Sequence, residues 1–260
     1  MRKRLTQRFP FLLPLRRWQR KCCFYIKMFF DGNAYAKTRA APLPHCVYSA
    51  RQVMLNTESG FDMTYQRNKV DNLKIAAATL DGLVIGPGEV FSFWQAVRKA
   101  RESAYKDALC LMDGEIVPVR GGGLCQLSTL ICWVMLHGPF AIVERHGHTV
   151  EHFPPPDKTI PVGVDATIQE GWLDLKLKNL WNTAYQLAIT FDETHITVAL
   201  LSELPEPPQR VEERNVCLYR DQDKLYRRSD IFRGEGGELL FTSCCELGYE
   251  PDKEELCAYV

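Results

Sequence analysis

The sequence feature that most constrains this chain is a run of three glycines, Gly121 to Gly123, directly before a helical pattern of apolar residues. Glycine adopts positive φ at no steric cost, so the run predicts a tight turn in which backbone N–H groups converge. Cys125 would then occupy the first turn of a helix, where the helix dipole favours an anion such as a thiolate. Apolar side chains at spacings of three and four residues predict that helix: Leu127, Leu130, Ile131, Val134 and Met135.

A thiolate beside free backbone N–H groups is the arrangement of a nucleophile with an oxyanion site. Cys125 is therefore the candidate nucleophile, and Gly122 and Gly123 are the candidate oxyanion and substrate-binding groups. Gln126 and Ser128, on the same predicted helix, are further candidate substrate-binding residues. The alternative is a glycine turn that binds phosphate or carboxylate, with the cysteine packed beside it as a small apolar side chain.

A second candidate region lies about twenty residues further along the chain. Residues 141–150 predict a strand, on which side chains two positions apart point to the same face. That spacing would place Glu144, His146 and His148 on one face and Arg145 on the other. A Cys–His pair is the usual partnership for a thiolate nucleophile, because the imidazole accepts a proton and later returns it to a leaving group.

The residues alone leave the partners of this pair open. Either His146 or His148 is a candidate base, and either Glu144 or Asp165 is a candidate group to orient it. Asp165 is also a candidate substrate-binding residue. Arg145 is a candidate ligand for a substrate carboxylate, since a guanidinium donates two parallel hydrogen bonds.

A metal site is a competing interpretation of the same residues. His146 and His148, with His152 and Cys125, have the residue types and one of the spacings of a zinc site. However, Gly147 and the prolines that follow loosen the local geometry, and no Cys-x-x-Cys pair is present. We therefore predict no metal and no cofactor.

Several blocks of this sequence resemble the VanW family, which is named for an accessory protein of vancomycin-resistance clusters. The resemblance runs from about residue 66 to residue 182, and the glycine–cysteine–glutamine block is its most specific part. Two positions depart from the family pattern: Ala104 stands where the family has glycine, and Thr149 where it has serine. The matching blocks are residues 72–77, 82–94, 121–129, 143–145 with His148, 165–167 and 174–175.

The resemblance implies a function in cell-wall chemistry. Some VanW-domain proteins look like L,D-transpeptidases, which cross-link peptidoglycan through a cysteine acyl-enzyme. Cys125 matches that nucleophile and His148 matches the family's histidine, so the expected activity is acyl transfer on a peptidoglycan peptide or its precursor. The alternative is a non-catalytic accessory module that binds a peptide carboxylate and is linked to glycopeptide resistance or cell-wall metabolism.

The N-terminal segment is strongly basic. Residues 1–30 carry nine Lys or Arg and no acidic residue, and their apolar stretches are short. A membrane span needs about 20 apolar residues, and a signal peptide needs an uninterrupted run of about 7–15 before its cleavage site, so we predict neither. Interleaved basic and aromatic side chains predict either a segment that binds an anionic membrane surface or a solvated helix packed on the domain.

The rest of the chain bears on partners and compartment. Outside that segment, 23 basic residues face 32 acidic ones, which argues against nucleic-acid binding. The ten cysteines lack the spacing of a disulfide framework, which favours a reducing compartment. We therefore predict a cytoplasmic protein, with contact at the inner membrane surface through residues 1–30 as an open alternative.

The pattern of elements predicts an α+β fold, with a central helix that begins near Cys125 and packs on a mostly antiparallel β-sheet. Three parts are predicted: a basic aromatic segment at 1–35, a VanW-like core at 36–203 and a small β-rich extension at 209–260, joined by a proline-rich linker. The local predictions are a helix at 66–80, extended segments around a turn at 86–88, strands at 173–177, 185–191 and 195–200, and a hairpin turn at 221–223.

Overall fold

The computed structural model describes residues 10–57, 60–98, 100, 104–112, 115–152, 154–155 and 159–251. Its helices are α1 Leu13–Phe30, α2 Met63–Leu80, α3 Phe93–Val97 and α4 Cys125–Leu136. Its strands are β1 His45–Val53, β2 Val84–Ile85, β3 Val90–Ser92, β4 Asp107–Met112, β5 Glu115–Arg120, β6 Phe140–Glu144, β7 Val150–Glu151, β8 Lys176–Asn179, β9 Tyr185–Phe191, β10 His195–Ser202, β11 Val211–Asp221, β12 Lys224–Arg233 and β13 Glu238–Leu247.

The strands form mostly antiparallel sheets around one buried helix. One sheet has the order β1-β10-β9-β2, a second β3-β8-β6, and a third β11-β12-β13-β7, while β4 and β5 form a separate hairpin. Helix α4 packs against β1 and β10, and its residues from Leu130 to Leu136 are all buried. The predicted α+β fold, with a central helix beginning at Cys125, is confirmed.

Helix α2 packs its apolar face into the core. It begins three residues before the predicted start because the Asp62 side chain caps it, accepting a hydrogen bond from the Thr64 backbone N–H at 2.8 Å. Its buried apolar face comprises Leu73, Ala76, Ala77 and Leu80.

The predicted strand at 141–150 is wrong in its second half. Strand β6 ends at Glu144 after a register shift against β8, and residues 145–148 are irregular. The backbone groups of this segment find partners in the loop that follows residue 160: the carbonyl of His146 accepts from Thr167 at 2.7 Å, and the N–H of His148 donates to the Asp165 carboxylate. Glu144, His146 and His148 therefore do not share one strand face.

The strand predicted at 173–177 begins later, at Lys176. Leu173 exchanges two backbone hydrogen bonds with Gln169 in a tight turn, and the N–H of Asp174 donates to the Glu144 side chain at 2.9 Å. These bonds use the groups that a strand ladder would need. The predictions at 86–88, 185–191 and 195–200 are confirmed, with β10 extending two residues further.

The C-terminal sheet packs onto the rest of the fold. Gln222 and Asp223 both have positive φ, as a two-residue hairpin turn of type I′ requires, so the predicted turn at 221–223 is confirmed. Val211 and Ile231 belong to the same buried apolar cluster as helix α4. Strand β13 pairs in parallel with β7 and so brings the sheet beside the irregular segment at 145–148.

Helix α1 lies along the surface, with Met28 as its buried residue. No helix within the described part of the chain is long and apolar enough to cross a membrane. The first nine residues, which carry four of the basic side chains of the N-terminal segment, lie outside the described residues.

Candidate active site

A cavity of about 570 Å³ opens at the N-terminal end of helix α4. Cys125 and Gln126 line it from the helix, His148 from the irregular segment, and Asp165 from the loop opposite. Cys245 reaches it from β13, so the C-terminal sheet contributes to its wall. A volume of this size is typical of a pocket for a small molecule or a short peptide.

The glycine turn allows close approach of three chain segments. A Cβ atom on Gly122 would lie 2.1 Å from the carbonyl oxygen of Ala108, so only glycine fits against β4. Gly123 has a φ of +85°, and a Cβ there would lie 2.3 Å from Cγ of Lys69. Two of the three glycines are therefore required by packing, in addition to the turn geometry that the sequence predicted.

The candidate oxyanion groups differ in their availability. The N–H of Gly122 donates to the carbonyl of Val119 at 2.9 Å, and its carbonyl accepts from Asn72 at 3.0 Å, so its backbone is committed to the turn. Helix α4 begins at Cys125 without a side-chain cap on its first turn. The N–H groups at the start of a helix have no intrahelical acceptor, which makes the Cys125 amide the better oxyanion donor.

Cys125, His148 and Asp165 form a cluster on the cavity wall. The Cys125 thiol donates to the carbonyl oxygen of Ile168, with its Sγ 3.9 Å away, and it lies near enough to His148 to raise the pKa of that imidazole. His148 Nδ1 lies 2.7 Å from an Asp165 carboxylate oxygen, which also accepts the backbone N–H of His148. The second Asp165 oxygen accepts from the Thr129 hydroxyl at 3.3 Å.

The charges around His148 favour its protonated, positively charged form. Burial alone lowers the pKa of His148, but the Asp165 carboxylate and Cys125 outweigh burial and raise that pKa well above its usual range. Burial likewise works to raise the pKa of Asp165, while the charge and hydrogen bonds of His148, helped by Arg145, bring it below its usual value. An imidazolium held by a carboxylate beside a thiol is the arrangement that stabilises a thiolate.

Glu144 and His146 form a separate pair at the end of β6, outside the lining of the Cys125 cavity. His146 Nε2 lies 3.2 Å from Glu144, which also binds the Lys176 ammonium at 2.8 Å and the Asp174 backbone N–H. Glu144 and Lys176 line a second depression beside helix α1, rather than the cavity of Cys125. The fold thus brings His148 and Asp165 to Cys125 and directs Glu144 and His146 elsewhere.

The remaining sequence-predicted residues lie in three different settings. The Arg145 guanidinium stacks 3.8 Å from the ring centre of Phe241, donates to the Gly163 carbonyl and is not part of the cavity lining. Ser128 is buried and donates to the Ala166 carbonyl at 2.6 Å, which fixes the loop that carries Asp165. Gln126 lines the cavity.

The amide of Gln126 is half satisfied. Its Nε2 donates to the Val53 carbonyl at 2.7 Å, while its Oε1 is buried and accepts no hydrogen bond from the described residues. The Thr167 hydroxyl, also on the cavity wall, is in the same state. Buried polar atoms normally have partners, so these two atoms are suited to a ligand's polar groups.

Sequence reasoning missed Lys69, Cys110 and Cys245, which all line the cavity. Burial and Cys125 raise the pKa of the Cys110 thiol, although His148 acts in the opposite direction, and all three groups line the same cavity. No local pattern singles out these residues, because they come from helix α2, β4 and β13 and meet only in the folded chain.

The metal interpretation finds no geometric support in the described residues. Among them, no three His, Cys, Asp or Glu side chains converge as a metal site requires. His148 is engaged by Asp165, and His146 by Glu144 outside the cavity lining.

Comparisons with known proteins match the part of the chain that contains the candidate site. The VanW family model, described as "VanW like protein", matches residues 68–201. The chain is 44% identical to "Vancomycin B-type resistance protein VanW" of Enterococcus faecalis over 95% of its own length and 94% of that relative. It is 29% identical to "Uncharacterized protein YoaR" of Bacillus subtilis over 70% of its own length and 60% of that relative. No solved structure matches the chain.

Proposed function

The chain belongs to the VanW family, and on that premise we propose that it is a cysteine-dependent acyltransferase acting on a peptidoglycan peptide or its precursor. The observation that carries the proposal is that Cys125 shares the wall of a peptide-sized cavity with His148, whose Nδ1 lies 2.7 Å from an Asp165 carboxylate oxygen. The vancomycin-resistance name of the Enterococcus relative supports a cell-wall substrate.

The chemistry proceeds in two balanced steps. The Cys125 thiolate attacks a peptide carbonyl carbon, the oxyanion is held by the backbone N–H at the start of helix α4, and the C–N bond breaks as His148 gives its proton to the leaving amine. A second amine then attacks the thioester, His148 accepts that amine's proton, and the thiolate leaves. Asp165 keeps the imidazole oriented and stabilises its charged form.

The test is acyl-enzyme formation with a synthetic peptidoglycan stem peptide, followed by intact mass. The wild-type protein should gain the mass of the acyl group, and Cys125→Ser should abolish both the adduct and turnover while retaining the fold. Cys245→Ser, a change in another cavity cysteine, is the matched control and should keep the activity. If acyl transfer survives in Cys125→Ser, the cysteine mechanism is wrong.

A non-catalytic peptide-binding module is the second candidate function. The unpartnered Gln126 Oε1 and Thr167 hydroxyl favour peptide recognition, which a binding module would use without chemistry. The rate of Cys125 alkylation by iodoacetamide at about pH 6.5 separates the two candidates. A thiolate paired with an imidazolium should react readily there, whereas a packed cysteine should not.

We also propose that the protein works on the cytoplasmic side and touches the inner membrane surface through helix α1. Large apolar side chains on this helix are exposed, Phe29 by 81% and Phe30 by 77%, and basic residues alternate with them. Such a helix lays its aromatic side chains into the interface while its cations attract anionic lipid.

Vesicle sedimentation tests the membrane contact. The protein should pellet with vesicles containing phosphatidylglycerol, and about 1 M salt should release it because the Debye length falls to about 3 Å. Replacing Phe29 and Phe30 with serine should weaken the binding, while Leu204→Ser, an exposed residue elsewhere, should not. Recovery of the protein outside cells, or resistance to salt and carbonate washing, would contradict this location.

A further inference from the structure

Lys69 is an unusual cation on the wall of the cavity. It projects from helix α2, and among the described residues it forms no ion pair. The residue keeps partial exposure where it lines the cavity, and desolvation by the surrounding protein lowers the pKa of Lys69 to about 8. A partly desolvated ammonium group without an anionic partner on a cavity wall is typical of a functional site.

The glycine turn is shaped around this lysine. A Cβ on Gly123 would lie 2.3 Å from Cγ and 2.9 Å from Cδ of Lys69, so the stem of the lysine occupies the space that any other side chain would fill. Gly123 stands two residues before Cys125 in the chain. The most specific sequence block of the protein thus brings a cation and the candidate nucleophile to the same end of helix α4.

Unpartnered polar atoms on the same wall point independently to a ligand. The Gln126 Oε1 and the Thr167 hydroxyl are buried without partners among the described residues, and both line the cavity with Lys69. Gln126 Oε1 accepts a hydrogen bond, Thr167 donates or accepts one, and Lys69 attracts an anion. A peptide segment that carries a carboxylate offers all three complementary groups.

We propose that Lys69 binds a carboxylate of the peptide substrate and so selects peptide acids whose carboxylate lies beside the carbonyl that Cys125 attacks. This inference rests on the proposed function, because it takes the ligand to be a peptide. An ion pair with Lys69 would give this cation on the cavity wall an anionic partner and fix the peptide at the turn before helix α4. Lys69 is thereby a specificity-determining residue rather than an acid or base.

Alkylation with two reagents of different charge tests the inference. Iodoacetate carries a carboxylate and iodoacetamide does not, while both transfer an equivalent group to Cys125. The ratio of their rates reports the positive charge near the sulfur, and Lys69→Met should lower that ratio about fivefold by removing one nearby charge. Lys69→Arg should restore most of the ratio. Lys74→Met, on the same helix but exposed, removes the same charge and should leave the ratio unchanged.

Peptide binding gives a second measurement that does not depend on thiol reactivity. In a Cys125→Ser background, N-acetyl-alanyl-alanine should bind at least about tenfold more tightly than its C-terminal amide, as expected for a charge-assisted contact. Lys69→Met should remove that preference without changing the affinity for the amide. Near-UV circular dichroism verifies that each variant keeps its fold.

The outcomes separate this inference from the proposed function. If Cys125 is inert to both reagents but the acid is still preferred through Lys69, the acyl-transfer mechanism fails and the carboxylate site stands. If Cys125 reacts readily but Lys69→Met changes neither the reagent ratio nor the acid preference, the role of Lys69 is refuted and the nucleophile stands. Equal binding of acid and amide by the wild-type cavity, or binding of neither, also overturns the inference.

Discussion

Two histidine–carboxylate pairs lie two residues apart in this chain, yet they face different parts of the molecule. His148 is held by Asp165 beside Cys125, and His146 is held by Glu144 outside the lining of the cavity. Solvent exposure does not distinguish them, since the His148 and His146 side chains are 32% and 40% exposed. The backbone distinguishes them, because β6 ends at Glu144 and residues 145–148 are irregular.

The carboxylates differ in what else they bind. Glu144 shares its charge with the Lys176 ammonium at 2.8 Å, and hydrogen bonds from Lys176 and Asp174 lower the pKa of Glu144 despite the opposing effect of burial. Asp165 directs one oxygen to both the ring and the backbone N–H of His148. Glu144 therefore holds together a cluster of structural contacts with Lys176 and Asp174. Asp165 instead directs its negative charge at the imidazole of His148.

The largest expected effect concerns the two histidines. His148→Ala should slow acyl-enzyme formation about a hundredfold, because it removes the group that pairs with the thiol and moves the proton. His146→Ala should leave the rate within about twofold, since that ring lies away from the cavity. Single-turnover intact mass provides the rate for each variant. Equal losses in the two variants would remove the distinction between the pairs.

The two carboxylates should affect different properties: Asp165 the reaction rate, and Glu144 the stability of the fold. Asp165→Asn should slow acyl-enzyme formation about tenfold and lower the pKa of His148, because the neutral amide no longer stabilises the imidazolium. Glu144→Gln should leave the rate unchanged but cost about 2–3 kcal/mol of unfolding free energy, since it leaves the buried Lys176 without its anion.

Denaturant unfolding and NMR titration of the histidine ring protons measure these two outcomes. Glu89→Gln, in the turn between β2 and β3, is the control: it removes one carboxylate charge but keeps a side-chain oxygen that accepts the Gly86 N–H. If Glu144→Gln slows acyl-enzyme formation without any loss of stability, the roles given to Glu144 and Asp165 are wrong.

Much of the fold follows from local patterns in the sequence. The helix at Cys125, the strands at 185–191 and 195–202 and the positive-φ turn at Gln222 and Asp223 are encoded by periodicity and turn chemistry within each segment. The strand at 141–150 was wrong because the alternating pattern continues past Glu144, whereas the backbone finds its hydrogen bonds in a loop about twenty residues away. Such long-range partners leave no periodic signal.

The candidate site divides in the same way. The sequence predicts Cys125, His148 and Asp165 as candidate site residues, and the structure places all three on the cavity wall, while their catalytic roles stay predictions. The sequence also predicts Glu144 and Arg145, which do not line the cavity because β6 ends at Glu144 and the backbone then becomes irregular. Lys69 carries no sequence signal, since most lysines are exposed and only the approach of Gly123 reveals its position.

A smaller effect concerns the pH dependence of stability. The folded-state pKa of His148 is raised above the unfolded value of 6.5, so this group stabilises the fold fully below about pH 6.5 and loses its contribution as the pH rises through its folded pKa. The pKa of Asp165 is lowered, so its contribution is present above about pH 3.8 and is lost as the pH falls through its folded value. The pair therefore stabilises most between these limits.

Urea unfolding across pH measures this linkage. In a Cys125→Ser background, which removes the thiol beside His148, the stability lost on His148→Ala should shrink by about 1 kcal/mol between pH 6.5 and pH 9. Leu204→Ala, a change in an exposed apolar side chain, should give a loss that is independent of pH. A loss in His148→Ala that grows above pH 6.5 would show that the ring is buried in its neutral form.

The smallest expected effect is that of zinc. A zinc site needs at least three side chains that converge on one point, and the two nearest candidate imidazoles diverge because His146 turns to Glu144 and His148 to Asp165. The Nε2 of His152 lacks a hydrogen-bond partner among the described residues, but one free nitrogen on the cavity wall supplies a single ligand. Binding zinc at His148 would also require breaking its ion pair with Asp165, which opposes the gain from coordination.

We therefore expect purified protein to contain far less than one zinc per chain by elemental analysis, and added zinc to leave its melting temperature unchanged within about 1 °C. About one zinc per chain, retained in His146→Ala and lost in His148→Ala, would overturn this expectation and make the His148 pair a metal centre.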